Sequence, residues 1–291
     1  MSFTFAEKTH LVMTKRLNPY WLLVAPAGLL VLALYAAPII NVLFLSVTDP
    51  KPGLGNYAKI FEGDSVAILI WRTIRLCLIT TASSVLLGYV VAYAMVHALA
   101  HVRQRMMSIL LISFWISVLV RSFAWLMLLG HNGLINNFLI GVGIIQEPLA
   151  LARNELGVLI GMTEYMLPYA ILPLLANMQG IDPLVARASR SLGASHAQTF
   201  VRVFLPLTKP GIIAASLLVF ISSLGFYVTP AILGGGKVQM IAEYISVQLL
   251  VTVRWGTAAM LATLMIGCVL ALMYLLNRFM KLSVVFGGGT R

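Results

Sequence analysis

The chain has 291 residues, of which 60% are hydrophobic and only 10% are charged. Because soluble domains carry about 25% charged residues, this composition excludes an ordinary soluble domain. Several charge-poor stretches exceed the ~20 residues that a helix needs to cross a bilayer, so we predict an all-α integral membrane protein in a lipid bilayer. The net charge of +11 does not indicate a nucleic-acid partner, because the basic residues lie in loops and at the ends of apolar stretches.

Six apolar stretches are predicted to cross the membrane, and residues 19–291 are interpreted as one transmembrane domain. A polar tail at 1–18 precedes the first stretch, which is too long for the roughly 7–15 apolar residues of a signal peptide and is interpreted as a retained span. Between spans three and four, residues 131–152 have the spacing of a short interfacial helix. The spans cover about 20–47, 74–99, 106–129, 156–179, 211–233 and 256–278.

Lysine and arginine are distributed unevenly between the two sides of these spans. If the N-terminus is cytoplasmic, twelve of the 20 lie on the inner side: Lys8, Lys15, Arg16, Arg103, Arg105, Arg187, Arg190, Arg202, Lys209, Arg278, Lys281 and Arg291. Short cytoplasmic segments carry an excess of positive residues. The distribution therefore predicts that both termini and the segment 181–210 are cytoplasmic.

The segment between spans four and five is predicted to form a helical hairpin. Asp182 can cap a helix whose first residue is Pro183, and Gly193 can end that helix in a left-handed conformation. Ser195 and Gln198 have the spacing of a capping box for a second helix. A short hairpin on the positive side of a membrane protein indicates a docking surface for a soluble partner. Apolar residues form one stripe on its first helix: Leu184, Ala188 and Leu192.

This segment is similar to the signature loop of permease subunits of binding-protein-dependent ABC importers. That pattern is Glu-Ala-Ala, three residues, glycine, nine residues and Ile-x-Leu-Pro. Here Gly193 stands at the glycine, 203–206 at the close, and Arg187, Ala188 and Ser189 at the Glu-Ala-Ala positions. The resemblance extends over roughly 65–279 and is strongest to spermidine/putrescine-type permeases. Further supporting stretches are 133–137, 206–211, 228–235 and 240–242.

The resemblance implies a type I ABC importer permease fold and a subunit without catalytic activity. It implies three kinds of protein partner in a bacterial inner membrane system: a second homologous permease, two ATP-binding cassette subunits and an extracytoplasmic solute-binding protein. ATP and Mg²⁺ are expected on the ATPase subunits, and no cofactor or metal is expected in this chain. The hairpin is expected to dock into the ATPase as a coupling helix through Asp182, Leu184, Arg187, Ala188, Ser189, Leu192, Gly193, Ala194, Ser195 and Phe200.

The resemblance also implies a substrate class, which is a polyamine such as putrescine or spermidine. The same machinery could instead carry an opine, a phosphonate, iron or thiamine. An ion-coupled secondary transporter is the less favoured hypothesis, because such proteins usually carry several intramembrane acids and internal repeats. This sequence has Glu164 as its one acid well inside a span, and it has no recognisable repeat.

Two charged residues lie inside predicted spans and are candidates for the transport pathway. Arg121 lies eight residues before the end of span three and Glu164 eight residues after the start of span four, which places both about 12 Å below the outer surface. Charges at such depth usually face the protein interior and pair. Two interpretations are open, a structural ion pair or contact of Glu164 with a cationic substrate. Nearby aromatic residues could hold an organic cation or serve only in packing: Tyr165, Tyr169, Phe226 and Tyr227.

Overall fold

A computed structural model of the chain describes residues 20–62 and 64–279. Within these residues the secondary structure is entirely helical, which confirms the predicted fold class. The predicted tail, 1–18, and the residues from 280 onward lie outside the described part. The helices are α1 (Tyr20–Thr48), α2 (Gly55–Glu62), α3 (Asp64–His97), α4 (Ala100–Trp115), α5 (Val118–Leu128), α6 (Leu134–Gly141), α7 (Glu155–Gln179), α8 (Pro183–Ser191), α9 (His196–Thr199), a π-helical turn (Phe200–Phe204), α10 (Leu205–Leu207), α11 (Lys209–Leu224), α12 (Val228–Leu233), α13 (Ile241–Leu250) and α14 (Trp255–Phe279).

Four of the described helices are each long and apolar enough to cross a membrane: α1, α3, α7 and α14. Two further candidate spans are bent. Helices α4 and α5 meet at 96°, and the segment His196–Leu207 meets α11 at 58°. The described chain therefore contains six spans if each bent pair is one span, which is the predicted number.

The stretch 106–129, predicted as one span, is divided at Ile116 and Ser117 into α4 and α5. Both residues have extended backbone conformations, so the carbonyl of Ser113 loses its normal partner in the next helical turn. That carbonyl instead accepts from the Ile116 N–H at 3.4 Å and from the guanidinium of Arg121. The break is thus stabilised by a charged side chain from the second half of the same bent pair.

Helix α3 begins at Asp64, ten residues before the predicted span. It carries Arg72, which precedes the predicted span, and Arg75, which is the second residue of that span. Both arginines form ion pairs with Glu155 at the start of α7; the distance from Arg72 Nε to the carboxylate is 3.7 Å. The helix can therefore extend beyond its apolar stretch because its arginines pair with a carboxylate at the start of α7.

The fifth predicted span, 211–233, also departs from a single helix. Helix α11 ends at Leu224, and three residues separate it from the short α12. Thr229 on α12 joins the α4–α5 pair through a hydroxyl–hydroxyl contact of 3.0 Å with Ser122 on α5. The apolar helix α13, which follows, had no counterpart among the sequence predictions. The short interfacial helix predicted within 131–152 corresponds to α6.

The core lies where α3, α7 and α11 pack together. Helix α3 approaches α7 closely at Gly88, where a side-chain Cβ would come within 2.9 Å of the Cβ of Ala170. Met95 and Leu174 fill the buried space around this contact. Helix α7, which carries the candidate acid Glu164, is thereby held at the centre of the described chain.

Helix α1 lies at the periphery and packs against α14. Its end is held by Asp49, whose carboxylate accepts from the backbone N–H of Gly256 at 2.7 Å. The carbonyl of Asp49 accepts from the Asn56 side chain at 2.6 Å. These bonds fix the start of α14 against the loop that follows α1.

Candidate functional sites: a surface hairpin and a buried ion pair

The two helices of the surface hairpin begin with the predicted side-chain caps. The Asp182 carboxylate accepts from the Leu184 N–H at 2.8 Å. Gly193 has a φ of +90°, the left-handed conformation that favours glycine. Ser195 and Gln198 form the reciprocal bonds of a capping box, at 2.9 and 3.2 Å. The ends of the hairpin helices are therefore fixed by residues within the hairpin itself.

Most of the predicted docking residues lie on the exposed face of the hairpin. Leu184 and Leu192 expose 61% and 89% of their surface, and Ser189 and Ala194 are half-buried where the two helices meet. The Ser189 hydroxyl lies 3.2 Å from that of Thr199 and links the two helices. Val185 and Val201 are exposed as well, so the hairpin presents several apolar side chains on its surface. The exposed members of the predicted set are Asp182, Leu184, Arg187, Ala188, Leu192, Gly193 and Ser195.

Phe200, also predicted as a docking residue, lies instead on the inner side of the hairpin. Its ring packs edge-on against Tyr93 of α3, with centroids 5.5 Å apart, and Phe204 packs against the same ring at 5.4 Å. The hydroxyl of Tyr89, one turn earlier on α3, lies 3.1 Å from that of Thr208. Phe200 therefore anchors the hairpin to α3, and the π-helical turn places Phe200 and Phe204 against one ring.

Arg121 and Glu164, predicted from depth alone to lie near each other, form an ion pair. The distance from Arg121 Nη1 to Glu164 Oε1 is 3.5 Å. The guanidinium also donates to the Ser113 carbonyl and lies 5.2 Å from the centroid of the Tyr165 ring. Arg121 is the more buried partner, with 10% of its side chain exposed against 28% for Glu164.

An aromatic cluster surrounds the pair. Tyr165 packs against Phe226 with centroids 4.5 Å apart and against Tyr169 at 6.2 Å. Tyr169 in turn contacts Phe114 at 5.4 Å. Five of the six predicted pathway residues are thus brought together. Tyr227 is the exception, because it is exposed in the turn before α12 and its ring takes part in none of these contacts.

Sequence reasoning missed Trp125, whose indole N–H donates to Glu164 Oε2 at 3.4 Å. Trp125 follows Arg121 by four residues on α5, so both side chains lie on one face of that helix. This spacing is a signal that could have identified it. The backbone carbonyl of Ser113 and the ring of Phe114 carried no comparable signal, because they reach the pair only through the break between α4 and α5.

Glu164 lies on the wall of two cavities. One has a volume of about 480 Å³ and is lined also by Trp125 and Thr163; the other, of about 350 Å³, is lined also by Ser113. Glu164 is the one ionisable side chain among the described residues that line these cavities. Within the same part of the chain, no group of three His, Cys, Asp or Glu side chains could hold a metal ion.

Residues 84–284 match the family described as the binding-protein-dependent transport system inner membrane component. The spermidine/putrescine transport system permease protein PotB of Haemophilus influenzae is 32% identical over 235 residues, covering 78% of this chain and 82% of that protein. PotB of Escherichia coli K12 is 31% identical over 234 residues, covering 79% and 85%. These matches confirm the family resemblance predicted from the hairpin motif.

Solved structures of transporters show the same fold. A chain of a bacterial ABC transporter involved in import of the acidic polysaccharide alginate aligns with a TM-score of 0.70 and 18% identity, covering 91% of this chain and 96% of that one. A chain of an amino acid ABC transporter with histidines aligns with a TM-score of 0.51 and 19% identity, covering 77% and 94%. The family is one of transport permeases and not of enzymes. The chain belongs to the inner membrane components of binding-protein-dependent transport systems, as a multi-pass permease subunit.

Proposed function

We propose that this chain forms half of the translocation pathway of an ATP-driven polyamine importer. A second homologous permease supplies the other half, two ATP-binding cassette subunits bind below, and an extracytoplasmic binding protein delivers the substrate from above. ATP and Mg²⁺ bind to the cassette subunits, and this chain binds neither. The sequence similarity of this chain to PotB permeases supports this subunit arrangement and favours putrescine or spermidine as the substrate.

The observation that carries this proposal is the surface hairpin. It exposes two leucines and Arg187 on one side and is fixed to the membrane helices on the other, through Phe200 and Phe204. Grouped exposed apolar side chains are typical of a site that a partner covers. The anchored inner side supports a role in which movement of the partner is passed on to α3.

In the proposed cycle, ATP-driven closure of the cassette subunits moves the hairpin as a rigid body. Helices α7 and α11 flank the hairpin in sequence and pack on each other and on α3. A displacement of the hairpin is therefore passed on to the helix that carries Glu164. Alternation between outward-facing and inward-facing states follows from the rearrangement of packed helices with two stable arrangements.

The excess of lysine and arginine supports an orientation in which the hairpin and both termini lie in the cytoplasm. This orientation places the hairpin on the side where ATP is available. The opposite ends of α3, α7 and α14 then face the binding protein.

The proposal is tested with the importer purified through a tag on this chain and reconstituted in liposomes with its binding protein. Replacing Leu184 and Leu192 together by Asp is expected to remove the cassette subunits from the purified complex. ATP-dependent uptake of labelled putrescine should fall at least about tenfold, because two charges would enter an apolar contact. Leu54→Asp is the matched control, since Leu54 is 69% exposed and lies on the opposite side of the membrane from the hairpin in the proposed topology.

Unchanged uptake and subunit composition in the double variant would show that the hairpin is not the docking element. Uptake that persists in the wild-type complex without ATP would instead favour an ion-coupled carrier. Robust ATP-dependent transport of a different solute would retain the importer assignment and replace the polyamine.

A further inference from the structure

The contacts of Arg121 resemble those of a bound organic cation. Its guanidinium is held by a carboxylate, by a backbone carbonyl and by the face of an aromatic ring, from Glu164, Ser113 and Tyr165 respectively. These are the three kinds of group that stabilise a protonated amine away from water. The protein therefore contains a formed cation site that is occupied by its own side chain.

Glu164 faces two cavities. It lines both the cavity of about 480 Å³ and the cavity of about 350 Å³, and more of its side chain is exposed than that of Arg121. The other described residues lining the two cavities are uncharged. A cation that enters either cavity thus meets Glu164 as its only countercharge there.

We propose that Arg121 occupies the site of the transported cation, and that a protonated amine of the substrate displaces it from Glu164 and Tyr165 during transport. This inference rests on the proposed function, because it requires a cationic substrate. Uncharged or anionic solutes do not displace Arg121, since they cannot replace its charge beside Glu164. The pair thus selects for the charge of the solute inside the membrane.

Displacement has a consequence for the break between α4 and α5. One carboxylate cannot neutralise two cations, so Arg121 is repelled when an ammonium binds Glu164. After the guanidinium leaves Glu164 and Tyr165, it keeps its hydrogen bond to the Ser113 carbonyl at the break. Occupancy of the cation site is thereby coupled to the group that stabilises the 96° bend.

The return of Arg121 also explains how a tightly paired cation could leave. A transport site must bind its solute weakly enough to release it. A tethered guanidinium that competes for the same carboxylate lowers the apparent affinity by occupying the site. Arg121 thus prevents the substrate from becoming trapped at the half-buried carboxylate of Glu164.

The test measures binding of labelled spermidine to the purified importer in the absence of its binding protein. Scintillation proximity gives the dissociation constant for the wild type and for variants of the pair. Glu164→Gln is expected to weaken binding at least about tenfold, because the countercharge is lost. Arg121→Gln is expected to strengthen binding at least about tenfold, because the internal competitor is removed.

Arg121→Lys is the second variant, and it tests the competition between Arg121 and substrate if the Arg121→Gln complex fails to assemble. Lysine keeps the positive charge but lacks the planar fork that holds two acceptors at once. It should compete less well than arginine, so binding becomes tighter than in the wild type. The uncharged analogue 1,4-butanediol should not reduce spermidine binding in any variant.

The outcomes separate a displaced competitor from a structural ion pair. If Arg121→Gln and Arg121→Lys bind spermidine no better than the wild type, the inference is overturned, although uptake by the complete importer would still support the proposed function. A different labelled organic amine could bind more tightly to the Arg121 variants and more weakly to Glu164→Gln, while polyamine binding is the same in all variants. That result would support the cation site and overturn the assignment of a polyamine as the substrate.

Discussion

Individual residues set the ends of the hairpin helices, and these could be predicted because caps are local. Asp182 and Ser195 act on backbone groups two and three residues away, so the sequence alone contains the whole interaction. The Arg121–Glu164 pair was predicted by a different argument, the equal depth of two charges in consecutive spans. Whether Glu164 contacts the substrate stays a prediction.

Glu243 on α13 is a residue whose importance was not apparent from the sequence. It is 7% exposed, and its Oε2 atom has no hydrogen-bond partner among the described residues. Desolvation by burial raises the pKa of its carboxyl above the ordinary value of 4.5, although a backbone hydrogen bond at Met240 lowers it in part. A raised pKa means that the folded state favours the protonated acid.

Glu243→Gln is therefore expected to alter the pH dependence of stability. The charged carboxylate destabilises the folded state, so stability is highest below pH 4.5 and declines as the pH rises through the raised pKa. The variant should unfold at the same temperature as the wild type at acidic pH and at a higher temperature at pH ~7. Thermal unfolding of the purified protein measures this difference.

Glu147→Gln is the control for this experiment, because Glu147 is exposed. It should leave the unfolding temperature unchanged over the same pH range. If Glu243→Gln lowers the unfolding temperature at neutral pH, the carboxylate has a stabilising partner and the argument from burial is wrong.

At the scale of elements, apolar length predicted where helices occur but not where they break. The break at Ile116 lies in a run without proline or glycine, and the Arg121 side chain that stabilises it lies beyond the break, on α5. Helix α3 extends beyond its apolar stretch for a similar reason, since Arg72 and Arg75 depend on Glu155. Such tertiary partners cannot be read from local patterns.

Helix α14 contains two glycines in different surroundings, Gly256 in its first turn and Gly267 in its interior. A Cβ at Gly256 would overlap the carbonyl oxygen of Asp49, whereas a Cβ at Gly267 meets nothing within 4 Å. Gly256→Ala is expected to destabilise the protein by about 1–3 kcal/mol, because backbone atoms must move. Gly267→Ala should be neutral or stabilising by up to about 1 kcal/mol, because alanine favours the helix.

The two variants are compared by thermal unfolding in the same detergent. A lowered unfolding temperature for Gly256→Ala alone supports the fixed contact between the start of α14 and the loop after α1. Equal behaviour of the two variants would mean that this loop adjusts freely and that the Asp49 contacts contribute little.

At the scale of the whole molecule, the sequence predicted the class and family of the protein but not how its helices pack. Composition identified a membrane protein, and the spacing around Gly193 identified the family that the relatives confirm. The packing of α3, α7 and α11 could not be deduced, because apolar faces turned toward lipid and toward protein have the same composition. The orientation in the membrane stays a prediction.

Orientation is tested by labelling single cysteines with a maleimide that does not cross membranes. In a background with Cys77 and Cys268 replaced by Ala, Lys51→Cys reports the outer loop and Ala197→Cys reports the hairpin, both at exposed positions. We expect Lys51→Cys to react in intact spheroplasts and Ala197→Cys to react only after permeabilisation, because positive segments remain inside. The opposite pattern would place the hairpin outside and remove its role as an ATPase dock.

The exposed leucines of the hairpin have a consequence for how much of this permease a cell can maintain. Leu184 and Leu192 lie on a surface turned away from the anchored side of the hairpin, so lipid does not cover them in the proposed topology. Without a bound partner they form a hydrophobic patch exposed to water, which favours aggregation and degradation. Binding of a partner to the folded chain stabilises it by mass action. We therefore expect the steady-state level of this permease to follow the supply of its soluble partner.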